Sequence, residues 1–139
     1  MTAPLLSLQD LSVAFHHEGR TTLAVDRISL DVSPGETVAV VGESGSGKSV
    51  SALSAVRLLP YPSASHPTGK ILFKGNDVLT MPSEELQKLR GNDITMIFQE
   101  PMTSLDPLYP VGDQIIAPLM VHKGVSRAAA RSRALGLLN

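Results

Sequence analysis

Residues 42–49 read Gly-Glu-Ser-Gly-Ser-Gly-Lys-Ser and satisfy G-x-x-x-x-G-K-[ST], a pattern that constrains the fold because it works only between a strand and a helix. Glycines at 42, 45 and 47 let the backbone curl so that several N–H groups converge on one anion, a shape that residues carrying a Cβ reach only with strain. Lys48 adds a positive charge on a flexible stem, and Ser49 a hydroxyl oxygen of the kind that Mg²⁺ accepts. The octapeptide is the P-loop pattern, a cradle for phosphate oxygens.

The flanks supply the required context. Residues 36–41, Glu-Thr-Val-Ala-Val-Val, are a β-branched apolar run that predicts a strand buried on both faces, with Ser33-Pro34-Gly35 as the turn before it. Residues 48–59 contain neither Gly nor Pro and stop at Pro60, which predicts a helix of about three turns. Its N-terminus, carrying roughly half a positive charge, faces the cradle. A Gly/Ser-rich linker, the other reading of such a stretch, does not sit between a buried strand and a helix.

Composition limits what surrounds this site. At 139 residues and 42% hydrophobic content the chain is long enough for one domain with a core, and the formal charge of −1 provides no global field for nucleic acid or an acidic membrane. Cysteine is absent, which excludes disulfides and thiolate chemistry and fits a reducing compartment. The longest apolar stretch, 115–121 around Pro118, falls far short of the roughly 20 residues that cross a bilayer. The first residues have no basic region followed by a long apolar run, so a cytoplasmic location is expected.

Elsewhere, 5–15 and 22–32 alternate loosely and predict two antiparallel strands joined through 16–20. A further strand is predicted between Gly69 and Gly75, after a Pro/Ser-rich loop at 60–67. Ser83-Glu84-Glu85 opens a short helix ending near Gly91. Residues 93–98 predict a second buried strand closed by Gln99-Glu100-Pro101, which places Gln99 at a strand's C-terminal end, the edge where open α/β sheets bind ligands. Helices are expected over 111–123, interrupted by Pro118, and over 126–138, capped by Ser126. The last pattern reaches Asn139 with leucines 135, 137 and 138 still unpartnered, unlike the end of a complete domain. His16, His17, His66 and His122 have no metal-site spacing and are expected in solvent.

The octapeptide, the segment ending at Gln99 and the run Met-Ile-Phe-Gln-Glu-Pro-Met-Thr-Ser-Leu-Asp-Pro at 96–107 together resemble the ATP-binding subunit of an ABC transporter. Within that family the motifs are most similar to the dipeptide/oligopeptide import branch, which includes microcin-type peptide importers and also nickel and glutathione importers. The resemblance implies an α/β fold: the P-loop NTPase core of an ABC ATPase (36–60 and 92–107), an antiparallel β subdomain (1–35 and 68–75) and the start of a helical subdomain (108–139). It implies ATP and Mg²⁺ as cofactors. Gly42, Glu43, Ser44, Gly45, Ser46, Gly47, Lys48, Ser49 and Val50 would hold the nucleotide, with Phe15 in the first hairpin stacking the adenine. Ser49 and Gln99 would reach the metal, and Lys48 and Gln99 the reacting phosphate and water.

Implied partners are membrane permease subunits, a second ABC ATPase domain in a homodimer, a heterodimer or the same polypeptide, and, indirectly, a periplasmic peptide-binding protein. The implied location is the cytoplasmic face of the inner membrane, and nucleic acid is not an expected partner. A Leu-Ser-Gly-Gly signature, a Walker B Asp-Glu pair and a switch histidine are not found among these residues. The expectation is therefore ATP hydrolysis driving peptide import in the complete protein, with this chain alone a weak nucleotide binder, poorly soluble or oligomeric. The alternatives are an inactive nucleotide-binding fragment or a soluble ABC-type protein acting on nucleic acid or ribosomes. A different P-loop enzyme, such as a kinase or a GTPase, is a weaker alternative still, since the guanine-reading Asn-Lys-x-Asp of a GTPase does not occur.

Overall fold

The alternation along the N-terminal residues produces two long antiparallel strands, β1 (Leu6–His17) and β2 (Arg20–Val32), paired from Leu6↔Val32 to His17↔Arg20. Glu18 and Gly19 form the two-residue turn with φ of 48° and 76°, the doubly left-handed geometry that matches strand twist. The computed structural model describes residues 3–139, apart from the side chain of Pro101, and divides into two compact units, one reaching to Leu86 and one from Gln87 to Asn139.

In the first unit β1 is the central strand. It pairs with β2 on one side and on the other with β3 (Ala64–Ser65) and β4 (Lys70–Phe73), and β4 pairs with β5 (Asn76–Asp77) through a second turn at Lys74 and Gly75 with φ of 48° and 82°. Register shifts interrupt the β1–β2 ladder near Asp10 and Arg27, both at φ 46°. Their displaced amides are not left unpaired. Asp10 N donates to Ser29 Oγ (3.0 Å) and Arg27 N to Ser12 Oγ (3.0 Å), while the Thr68 hydroxyl lies 2.9 Å from the Asp10 carbonyl and 2.7 Å from Ser12 Oγ. The core of this unit buries Leu8, Leu11, Val13, Val25, Ile71 and Val78, each contributing about 1.5–3 kcal/mol on leaving water.

Helix α1 (Lys48–Ala55) follows the P-loop and is shorter than the sequence pattern predicts. It closes in a double turn, with Arg57 N donating to Ser54 O (3.0 Å) and Leu58 N to Leu53 O (2.9 Å). Glycine usually occupies the left-handed position of this closure, but here Arg57 holds it at φ 51°, a conformation that costs an L-residue about 1–2 kcal/mol. Two contacts offset that cost: Nη1 donates to Met81 O (3.1 Å), and the guanidinium lies 5.9 Å from the Tyr61 ring centroid.

The two predicted buried strands do not form. Residues 36–41 and 95–98 have no strand structure, Val40 and Val41 are exposed, and Ile97 is 99% exposed. An apolar run becomes a buried strand only when ladders flank it and layers cover both faces, and no described segment pairs with either run. The turn before the first run does form: Glu36 N donates to Ser33 O (3.1 Å), Gly35 takes φ 75°, and Glu36 Oε2 accepts from Ser33 N (2.7 Å).

His66, in the loop leading to β4, is half-buried rather than solvated as expected. Its Nε2 is 2.6 Å from the Tyr61 hydroxyl, and its buried Nδ1 has no hydrogen-bond partner among the described residues. Burial holds the imidazole below its ordinary value of 6.5, opposed in part by the Ser12 backbone and assisted by the nearby Arg57. The folded chain thus favours the neutral ring, so this stabilisation is complete above pH 6.5 and is lost as pH falls from there toward the lower folded value. A urea midpoint measured from pH 7.5 to 5.5 should fall, and His66→Gln should reduce the fall; equal slopes for the two proteins would contradict the assignment.

The boundary between the units falls within the short helix α2 (Ser83–Leu89). In the second unit Gly91 N donates to Ile94 O (2.8 Å), closing the turn after α2, and Lys123 Nζ reaches Asn92 Oδ1 (3.1 Å). His122 is half-buried beside Gly91, again not free in solvent. Helices α3 (Val111–Lys123) and α4 (Arg127–Leu138) pack through Ile116, Ala130 and Ala134, flanked by Ile115 and Leu119. Arg127 Nη2 pairs with Asp113 Oδ1 at 2.7 Å, and Ser126 Oγ caps α4 by accepting from Ala129 N (3.3 Å). Helix α3 runs through Pro118 rather than breaking there. No helix among the described residues is long and apolar enough to cross a membrane.

Gln114 braces the loop before α3. Its Oε1 accepts from Asp106 N (2.9 Å), and its Nε2 donates to the carbonyls of Asp106 and Tyr109 (2.8 Å each). Gln114→Glu keeps the shape, removes both donors and sets a carboxylate against two carbonyls. At about 1 kcal/mol per lost bond, hydrogen exchange of the 106–110 amides should accelerate roughly tenfold or more, while α4 amides stay unchanged.

Candidate functional site

The P-loop is built around three constraints, each traceable to a residue type. Gly45 and Gly47 adopt φ of 79° and 90°, and the curl they create turns the chain into α1 with Gly47 as the N-terminal cap residue. At Gly42 a Cβ would lie 2.7 Å from Ser46 Oγ and would displace that hydroxyl from its contact with Lys48. Gly47 is needed both for its dihedral and for space, since a Cβ would lie 2.7 Å from the Ala24 carbonyl oxygen and 3.0 Å from Cγ2 of Val25, both on β2.

Helix α1 takes its first backbone acceptor at Gly47 O, which receives Ser51 N (2.9 Å) and also Ser51 Oγ (2.8 Å). The amides of Lys48, Ser49 and Val50 therefore have no intrahelical acceptor and, with the helix dipole, form the positive end that suits an anion. The Lys48 ammonium donates to Gly42 O (2.7 Å), Glu43 O (2.6 Å) and Ser46 Oγ (3.1 Å), which ties the loop across its width. Ser46 N donates to Glu43 O (3.2 Å), closing the tip around Ser44 and Gly45. The Ser49 residue is exposed beside the loop, so its hydroxyl is open to a hard cation. A phosphate chain accepted here would meet backbone donors, one ammonium and one hydroxyl.

The other expected residues are placed as follows. Phe15 is half-buried on β1, opposite Thr22 of β2 and Ala64 of β3, in the same unit as the P-loop. Gln99 lies in the second unit at an exposed bend, not at a strand end as expected, because the 95–98 run forms no ladder. Sequence reading did not single out Ser51, Ala24 or Val25. Ser51 carries a weak signal, a hydroxyl one turn into the helix. Ala24 and Val25 carry none, because their contact with Gly47 joins residues that are distant in the chain.

Residues 25–138 match the ABC transporter family. The chain is 62% identical over 137 residues to the "Peptidoglycan transport ATP-binding protein YejF" of Agrobacterium fabrum, covering 99% of this chain and 25% of that protein. It is 47% identical to the "Uncharacterized ABC transporter ATP-binding protein YejF" of Escherichia coli, with 100% and 26% covered, and 47% identical to the "Dipeptide transport ATP-binding protein DppD" of Bacillus subtilis, with 97% and 40% covered. The chain thus spans about a quarter of the length of the first two of these relatives. Among solved structures, a dimeric bacterial ABC transporter cassette superposes with a TM-score of 0.78 at 24% identity, and a dimeric ATP-binding cassette in a post-hydrolysis state bound to ADP and Pi with 0.75 at 23%; each comparison covers 94% of this chain and 54% of the other. These likenesses carry the fold, that of an α/β ABC ATPase cassette with an antiparallel β sheet beside its helices. With the P-loop geometry and a match over most of its length, the chain belongs to the ABC transporter family.

Proposed function

We propose that this chain is the phosphate-binding portion of an ATPase subunit that drives peptide import through a membrane permease. One observation carries the reading: the three glycines, Lys48 and the N-terminus of α1 form a single cradle in which every donor comes from residues 42–50. The relatives named for peptidoglycan and dipeptide transport support peptides or peptide-containing fragments as the cargo class. In this reading 1–35 and 68–75 are a β subdomain, 36–60 and 92–107 belong to the nucleotide core, and 108–139 open a helical subdomain. The runs at 36–41 and 95–98, which form no ladder among the described residues, would take their sheet neighbours from the rest of the complete subunit.

The cradle contributes binding and charge neutralisation. Amides of 45–50 and the Lys48 ammonium hold the β- and γ-phosphates, and Phe15 stacks the adenine. The Ser49 hydroxyl would hold Mg²⁺, which would supply charge neutralisation to the phosphates when bound. In hydrolysis, water would attack the γ-phosphorus, the bond to the bridging oxygen would break, and ADP, inorganic phosphate and the water's proton would be released. A second ATPase domain and permease subunits at the cytoplasmic face of the inner membrane complete the assembly, and a periplasmic peptide-binding protein delivers the cargo.

The test uses the complete subunit and a fluorescent ATP analogue with and without Mg²⁺. Wild type should bind, and Ser49→Ala should lose the Mg²⁺-dependent gain in affinity while keeping metal-free binding. Uptake of labelled peptide into cells carrying the permease should then depend on the subunit. Absence of nucleotide binding, or uptake independent of the subunit, would remove the reading.

A further inference from the structure

The P-loop is held from behind as well as from within. We propose that Val25, on β2, is a positioning residue for the phosphate cradle: its Cγ2 methyl, together with the Ala24 carbonyl, forms the stop against which Gly47 is seated. A Cβ placed on Gly47 would lie 3.0 Å from Val25 Cγ2 and 2.7 Å from Ala24 O, so this strand leaves no room for a side chain at Gly47. Val25 is 5% exposed and is itself fixed by its cross-strand partner Val13, which is fully buried on β1. The methyl therefore has little freedom to retreat, and Gly47 little freedom to follow it.

Gly47 sits at the turning point of the site. It caps α1, its carbonyl receives both Ser51 N and Ser51 Oγ, and its left-handed φ of 90° decides where the following amides point. Loss of the stop would let Gly47 shift toward β2 and would misalign the amides of Lys48, Ser49 and Val50 that face the phosphates. The shape of the side chain matters as much as its volume, because the contact is made by one branch of a β-branched residue with restricted χ1. Val25 would touch no nucleotide atom and would act through Gly47 alone.

This inference rests on the ATP-binding reading of the same loop, and the experiment separates the two. Val25→Ala, Val25→Leu and Val25→Ile are made in the complete subunit, with Val78→Ala as the matched control. Val78 is equally buried but follows β5, at the opposite edge of the sheet from β2. Affinity is measured for an ATP analogue and for inorganic tripolyphosphate, which has no base to stack, at a temperature where each protein is folded by circular dichroism.

Val25→Ala and Val25→Leu, which both lose the branch at Cβ, should weaken both ligands about tenfold, while Val25→Ile, which keeps two γ-carbons, and Val78→Ala should bind like wild type. If Val25→Ala does not fold, Val25→Leu, which opens no cavity but removes the branch at Cβ, decides the question. Wild-type affinity in Val25→Leu, or an equal loss in Val78→Ala, would overturn the proposal. A loss confined to ATP would also overturn it, by placing the effect at the base. Failure of the wild type to bind either ligand would instead remove the ATP-binding reading.

Discussion

Lys48→Ala should weaken nucleotide binding to the complete subunit by about one to two orders of magnitude while leaving it folded. The side chain donates to Gly42 O, Glu43 O and Ser46 Oγ, all within its own loop, and to no element of the sheet. A hydrogen bond to a charged group contributes about 1.5–3 kcal/mol, which corresponds to roughly 10- to 150-fold in affinity. Fold stability should change little, because Lys48 is half-exposed at the first position of α1, where alanine is a good helix former. Lys48→Arg should recover only part of the affinity. A planar guanidinium spreads its donors over three nitrogens in one plane and does not converge them from a single point on three acceptors as a compact ammonium does. Titration of a fluorescent ATP analogue, with thermal unfolding as the control, checks both statements; affinity within twofold of wild type in Lys48→Ala would contradict the assigned role.

The largest effect on stability is expected at a glycine outside the P-loop. Gly69 precedes β4 at φ 95°, and a Cβ there would lie 2.5 Å from both the Asp10 carbonyl oxygen and the Leu11 α-carbon. Those atoms belong to the first irregularity of β1, where Thr68 and Ser12 complete the hydrogen bonding, so the backbone cannot yield without breaking that network. Gly69→Ala therefore combines a forbidden dihedral with a backbone clash and should cost about 3 kcal/mol or more. Gly19→Ala provides the contrast. It has a similar φ of 76° in the β1–β2 turn with open space around it, so only the dihedral term of about 1 kcal/mol applies. Urea denaturation of the two variants should give midpoints that differ accordingly, and equal losses would refute the packing argument.

Much of the local structure is legible in the residues because its causes are local. Glu18-Gly19 makes a tight hairpin turn, Ser126 caps α4, and Gly124 ends α3 at φ 61°. The exact end of α1 is not legible. A reader of the sequence sees helix formers up to Pro60, whereas the closing turn at Arg57 depends on the Met81 carbonyl, 24 residues away. Residues 36–41 and 93–98 expose the other limit. Their composition suits a buried strand, but composition supplies neither the ladder partners nor the covering layers that such a strand requires.

The candidate site divides in the same way. The sequence by itself determined the phosphate cradle, because eight contiguous residues contain every donor and every glycine that the curl needs, and local chemistry needs no distant partner to be recognised. Only the tertiary structure decided what holds the cradle in place: Gly47 must lack a side chain because β2 crosses behind it, with Ala24 and Val25 filling the space a Cβ would need. The physical reason is range. Dihedral preference and hydrogen-bonding capacity are properties of a residue and its neighbours, whereas steric seating belongs to two segments that meet only when the chain has folded.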